Sequence, residues 1–180
     1  MMENSGILRL LRKISADARI SAIRALTEML TVEENEAGCV EVETSSILVA
    51  FLTEQSKDKD EEVRRAVAKN PRTPSAVLTE LSKDESYRVR LAVAMNSETP
   101  LAVLMEQSKD KNEEVRLAVM RYSRIPEKAL TELSKDESLE VRYAVGGELK
   151  TPPAVLTELS KDEDEWNVQK AARDNPSFPK

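Results

Sequence analysis

Residues 58 to 81 read Asp58-Lys59-Asp60-Glu61-Glu62-Val63-Arg64-Arg65-Ala66-Val67-Ala68-Lys69-Asn70-Pro71-Arg72-Thr73-Pro74-Ser75-Ala76-Val77-Leu78-Thr79-Glu80-Leu81. Two short helices can be read in this stretch. Val63, Ala66 and Val67, with Asn70, share one helical face. Pro71 ends that segment, because it has no N–H to donate and biases the preceding residue away from helix. Thr73-Pro74 then reads as an N-cap followed by proline at the first helical position. Val77, Leu78 and Leu81 form the inward stripe of the second helix.

The stretch is one copy of an internal repeat. Ser-Lys-Asp begins at Ser56, Ser82, Ser108, Ser134 and Ser160, every 26 residues. Val-Arg follows at Val63-Arg64, Val89-Arg90, Val115-Arg116 and Val141-Arg142. The fifth copy reads Val168-Gln169, displaced by one extra residue between Glu163 and Asn167. Alternate copies are more alike: Glu54 to Lys59 matches Glu106 to Lys111, and Glu80 to Glu85 matches Glu132 to Glu137. This points to duplication of a two-repeat unit. Thr99-Pro100 and Thr151-Pro152 restate the second-helix start, whereas Ile125-Pro126 keeps only the proline. Helices of roughly eight to ten residues are marginal alone. Stacking stabilises them, because each inward apolar side chain contributes about 1.5–3 kcal/mol when fully buried. The expected form is an all-α, one-dimensional helical solenoid.

The pattern Asp-x-x-x-x-Val-Arg-x-Ala-Val-Ala-x-Asn-Pro-x-Thr-Pro-x-x-Val-Leu-x-x-Leu, from Asp58 to Leu81, resembles the leucine-rich repeat variant family, which is related in form to HEAT-like helical repeats. The resemblance covers about residues 47–180. It implies a right-handed α-solenoid of about five 26-residue two-helix repeats, in which α-helices alternate with short helices often of 3₁₀ type. Some members carry a cysteine-rich iron–sulfur segment; with Cys39 alone, this chain does not carry that feature over.

Residues 1–46 stand outside the clean repeat and read as an N-terminal helical cap with an acidic loop; residues 47–180 form the array, its last repeat truncated. One cap helix is expected over Ile7 to Ile14 and another through Ile20, Ile23, Leu26 and Leu30. Asp17-Ala18-Arg19-Ile20 echoes the repeat's Asp and Val-Arg elements. Thr31 to Thr44 holds five glutamates and no basic residue, and reads as a solvated loop around Gly38.

Composition narrows the function. Histidine is absent, so no histidine general base, triad or metal ligand is available. A single cysteine forms no internal disulfide, and four glycines do not supply a dinucleotide fingerprint or phosphate loop. Aromatic residues are only 3% and charged residues 33%, which suits a thin, solvated structure more than an enzyme built round a pocket. No apolar run approaches the ~18 residues that cross a bilayer. The expectation is a cytoplasmic, monomeric, non-catalytic protein with no cofactor and no membrane partner.

Polar columns accompany the repeat. Asp58/Arg64, Asp84/Arg90, Asp110/Arg116 and Asp136/Arg142 are each six residues apart, and read as a ladder in which Asp caps a helix start and pairs with Arg of its own or a neighbouring unit. Glu54, Glu80, Glu106, Glu132 and Glu158 each stand three residues before a lysine, which suits a self-neutralised solvated face. Asp58 to Glu62 lacks the central glycine and the span of a calcium loop, so no metal is expected. Cys39 reads as a bystander thiol.

The columns equivalent to 65 and 69 differ among repeats: Arg65/Lys69, Leu91/Met95, Leu117/Arg121, Tyr143/Gly147 and Lys170/Asp174. This face should look outward, so Leu91, Met95, Leu117 and Tyr143 make an apolar strip with Arg121 at its margin, suited to an unidentified protein or peptide partner. Packing between adjacent units is the competing account of these side chains. Met120 to Arg124 departs from the repeat, and Gly146-Gly147 weakens its helix by about 1 kcal/mol per glycine. The alternative function is nucleic-acid binding through Arg65, Lys69, Arg72, Arg121 and Arg124, against which stand a net charge of −6 and interleaved acidic rows. A purely structural array with no partner is the third reading.

Overall fold

The computed structural model describes residues 14–36, 41–122, 125–162 and 166–179. It forms two compact units, residues 1–100 and 101–180. The described residues form eleven helices and no strand. The first unit holds α1 (Ala16–Glu36), α2 (Glu41–Gln55), α3 (Glu61–Lys69), α4 (Ser75–Leu81) and α5 (Tyr87–Ala94). The second holds α6 (Leu101–Gln107), α7 (Glu113–Tyr122), α8 (Glu127–Leu133), α9 (Leu139–Gly147), α10 (Pro153–Leu159) and α11 (Trp166–Asp174).

Each repeat contributes a first helix of eight to ten residues and a second of seven. In the first unit α3 packs on α5, with α4 against both. In the second, α9 lies between α7 and α11, and α8 and α10 pack beside it. Each unit thus has the side-by-side stacking of an α-solenoid. The second helices are α-helical, where the family resemblance allowed 3₁₀ turns.

The inward stripes fall where the periodicity placed them. Val63, Val67, Leu78, Val89, Val93, Val115, Val119, Leu130, Val141, Val145 and Leu156 are fully buried. Leu48, Phe51 and Leu52 of α2 bring larger side chains to the core of the first unit. Seven-residue helices lack the length to persist alone, so this shared burial is what holds them.

The chain enters each second helix differently from the expectation. Pro74, Pro126 and Pro152 are themselves the N-caps, with extended ψ angles of 142°, 151° and 142°. The threonine before them faces backwards. Thr73, Thr99 and Thr151 donate their hydroxyls to the carbonyls of Val67, Val93 and Val145, at 2.5, 2.6 and 2.6 Å. Threonine therefore adds a second hydrogen bond to a carbonyl that already accepts the N–H of Asn70, Asn96 or Glu148, and ties the end of the first helix to the turn. At Ile125 this hydroxyl is replaced by a buried apolar side chain. Each second helix ends alike: Ser56, Ser82, Ser108, Ser134 and Ser160 donate to the carbonyl three residues earlier.

The N-terminal region also departs from its reading. Helix α1 runs on to Glu36 and α2 starts at Glu41, so residues 31–36 and 41–44 of the acidic stretch are helical where a loop was expected. Glu33, Glu34 and Glu36 extend α1, and Glu41 and Glu43 open α2, because glutamate is itself a good helix former. Gly38 and Cys39 lie outside the described residues, as does the helix expected over Ile7 to Ile14 up to residue 13. Helix α1 packs on α2 and α3, and its Arg19 meets Asp58 at 2.9 Å, the pairing that Arg64, Arg116 and Arg142 reproduce in later repeats.

Candidate functional site

The polar columns come first, because their engagement decides which side chains remain for a partner. Arg64 Nε and Nη2 bind the two carboxylate oxygens of Asp84 in the next repeat at 2.6 and 3.0 Å. Arg116 grips Asp136 at 2.7 and 2.8 Å, and Arg142 grips Asp162 at 2.7 and 3.4 Å. The remaining nitrogen turns to its own repeat: Arg64 Nη1 donates to the Asp58 and Lys59 carbonyls at 2.8 and 3.1 Å. Arg90 and Arg142 make the same pair of backbone bonds, and Arg116 makes the first of them, to the Asp110 carbonyl. The Arg64 and Arg116 guanidiniums have their pKa raised by the hydrogen bonds they donate to Asp84 and Asp136, against an opposing effect of burial.

The aspartates are not the helix caps expected of them. Asp58, Asp84, Asp110 and Asp136 each accept the N–H of the residue two further on, at 2.8–2.9 Å, closing a turn before the helix. The N-cap is that next residue. Asp60 accepts from Glu62 N–H, Asn112 from Glu114 N–H and Ser138 from Val141 N–H. One aspartate thus supports a turn and a neighbouring repeat together, a structural duty.

A second ladder was not read in the sequence. Asn96 Nδ2 donates to the carbonyls of Ala68 and Asn70 at 2.7 and 2.9 Å, one repeat back. Asn175 does the same to Gly146 and Glu148, both at 2.9 Å. Both amide oxygens accept a following N–H, from Glu98 and Ser177. Asn recurring at 70, 96 and 175 just after each first helix was the available signal.

The acidic row is partly neutralised, with Lys161 just past α10 to Glu158 at 3.2 Å and Lys109 to Glu132 at 3.3 Å between repeats. Asp58 and Asp60 are committed to Arg19 and to backbone N–H groups. Among the described residues, no group of three or more His, Cys, Asp or Glu is placed to hold a metal ion. No described helix is long and apolar enough to cross a membrane.

The variable columns present a different surface. In the first unit, Leu91 is half-buried and Met95 is 40% exposed, while Arg65 pairs with Glu62 at 2.9 Å. In the second unit, Leu117 is half-buried and Tyr143 is 55% exposed. Arg121 stands on α7, but its side chain lies outside the described residues, as does Arg124. Lys170 is bound to Asp174, whose hydrogen bond and charge, with Tyr143 nearby, raise the lysine's pKa.

Leu117 and Tyr143 border an open groove of about 680 Å³ on the second unit, walled also by Leu139 and floored by Ala144 and Val168. Gly147 leaves a notch there, since a β-carbon on it would meet nothing within 4 Å. Gly146 differs: its β-carbon would stand 3.1 Å from Ala172 N, so glycine lets α11 approach α9 closely. Two exposed residues beside the groove escaped the sequence reading. Leu139 is 36% exposed and Trp166 is 62% exposed, each at the first position of its helix. The column Glu61, Tyr87, Glu113, Leu139, Trp166, with the extra residue of the fifth repeat allowed for, carries the signal that reveals them.

Residues 61–86 match the family model described as leucine rich repeat variant, spanning one repeat from the start of α3 to the N-cap of α5. No curated protein matches the chain. The crystal structure of an engineered protein resembles it with a TM-score of 0.46 and 16% identity, over 96% of this chain and 94% of that one.

Proposed function

We propose that this helical-repeat scaffold is non-catalytic and binds a protein or peptide through the exposed face of its first helices. The contacts are Leu91 and Met95 in the first unit, and Leu117, Arg121 and Tyr143 in the second. The observation that carries this reading is a division of labour. Arginine, aspartate, asparagine and threonine at the repeated positions are tied into turns and into neighbouring repeats. Large apolar side chains stand exposed instead at variable positions, Met95 on the first unit and Leu139, Tyr143 and Trp166 on the second, with Leu101 and Leu149 also exposed off the first helices. Exposed apolar side chains clustered beside a groove favour a macromolecular partner. A catalytic role finds no support from an assembled nucleophile and base. Nucleic-acid binding is disfavoured because Arg65 is paired with Glu62 and the net charge is −6.

The test is capture from source lysate by the native chain and by a variant carrying Leu91→Ser, Met95→Ser, Leu117→Ser and Tyr143→Ser, with circular dichroism to verify helix content. A protein partner retained by the native chain and lost by the folded variant supports the reading. Equal capture by both overturns the face. Capture of nuclease-releasable nucleic acid without protein overturns the reading itself.

A further inference from the structure

The groove on the second unit carries an asymmetry of charge that bears on what fills it. Its walls and floor are apolar, but Glu140 lines the rim, and its described partner is the Ser138 hydroxyl at 3.1 Å. Glu113 and Glu114 stand exposed at the start of α7, and among the described residues neither forms an ion pair. Glu113 lies within electrostatic reach of Arg116, whose guanidinium is already committed to Asp136, so three exposed carboxylates stand at the N-terminal ends of α7 and α9 with no ion pair of their own among the described residues. Lys170, on the same side of the unit, is already bound to Asp174. Tyr143 adds an exposed aromatic ring next to Glu140, and a cation set against a ring and a carboxylate gains from both.

We infer that this groove receives an amphipathic helix of a partner protein, its apolar stripe flanked at one end by arginine or lysine. The inference rests on the interaction reading above and specifies the partner's chemistry. The apolar stripe lies between Leu117 and Leu139, with one side chain entering the notch at Gly147, in the manner of helix-in-groove recognition. The basic end meets Glu140, Glu113 and Glu114, which set orientation and exclude acidic competitors.

Trp166 is the single tryptophan of the chain, exposed beside the groove residue Asn167, so its fluorescence reports occupancy. The full chain is titrated with two tryptophan-free helical peptides sharing one leucine stripe, one ending in arginines and the other in glutamates. The expected result is a saturable shift of Trp166 emission with the basic peptide and at least about tenfold weaker binding of the acidic one. Glu140→Lys should cut the basic peptide's affinity about fivefold, the scale of an exposed ion pair. Gly147→Gln, which fills open space without disturbing the fold, should cut it about tenfold by steric conflict.

Equal or tighter binding of the acidic peptide overturns the inference while leaving the docking face intact. A basic peptide whose leucines are replaced by serine, yet binds as well, overturns it too, because attraction is then charge alone. If neither peptide shifts Trp166 in the folded chain, the inference falls, while lysate capture still decides the broader interaction reading separately.

Discussion

Arg116 holds Asp136, twenty residues further on, through two nitrogens at 2.7 and 2.8 Å, with both side chains less than one-tenth exposed. The same arginine reaches back to the Asp110 carbonyl at 2.7 Å. One side chain therefore joins the turn before its own helix to the turn before the next. Removing the carboxylate strands a nearly buried guanidinium and also opens the turn at Ser138. Asp136→Ala should cost about 3–5 kcal/mol, measured by urea denaturation. Asp136→Asn keeps an acceptor for Ser138 N–H and should cost distinctly less. Equal losses from the two substitutions would show that charge, and not the turn, accounts for the whole effect.

Gln55 presents a different balance. It is 3% exposed, and its Oε1 is buried without a hydrogen-bond partner. Leucine occupies the equivalent positions 81, 133 and 159, all buried. An unsatisfied buried acceptor costs about 1–3 kcal/mol, so Gln55→Leu should raise stability by about 1–2 kcal/mol. A fall in the denaturation midpoint would mean that the amide is satisfied in solution.

The two adjacent glycines of α9 should behave oppositely. Gly147 faces open space, so Gly147→Ala should gain about 0.5–1 kcal/mol of helix propensity. Gly146→Ala gains the same propensity but presses a methyl to 3.1 Å from Ala172 N and 3.2 Å from Ala171 Cβ. Its net effect should be destabilising, visible as a lower thermal midpoint beside a raised one for the first variant.

The pH dependence follows from the ladder. Folding raises the pKa of the Arg64 and Arg116 guanidiniums, through their hydrogen bonds to Asp84 and Asp136. A raised cation contributes its full stability below the unfolded pKa and loses it only as pH climbs through the folded value. That window lies in strong alkali, and the chain has no histidine. The thermal midpoint should therefore stay flat between about pH 6 and about pH 8. A transition inside that range would contradict the account.

Much of the fold was legible because burial imposes a period. Val63, Val67, Leu78 and Leu81 announce two helical stripes, and Pro71 and Pro74 punctuate them. Side-chain duties at the turns were less legible. Thr73 and Asp58 are both good helix caps by residue type, yet each bonds outside its nearest helix, because a carbonyl in one case and an adjacent repeat's arginine in the other compete for it. The loop expected from Thr31 to Thr44 was drawn too wide, because Glu33, Glu34 and Glu36 extend α1 as readily as they would solvate a loop. At the candidate surface, Leu91, Met95, Leu117 and Tyr143 came from comparing repeats. Leu139 and Trp166 did not, since only the columns equivalent to 65 and 69 were compared, not the one at the start of each first helix.

The most direct test of the proposed surface is hydroxyl-radical footprinting of the full chain, free and bound to its captured partner. Met95 and Tyr143 are reactive residue types and well exposed, at 40% and 55%. The account predicts that both lose reactivity on binding, with Trp166 following, while exposed side chains of the second helices such as Leu101 stay unchanged. Protection of the second helices, with Met95 and Tyr143 as reactive as in the free chain, would contradict it.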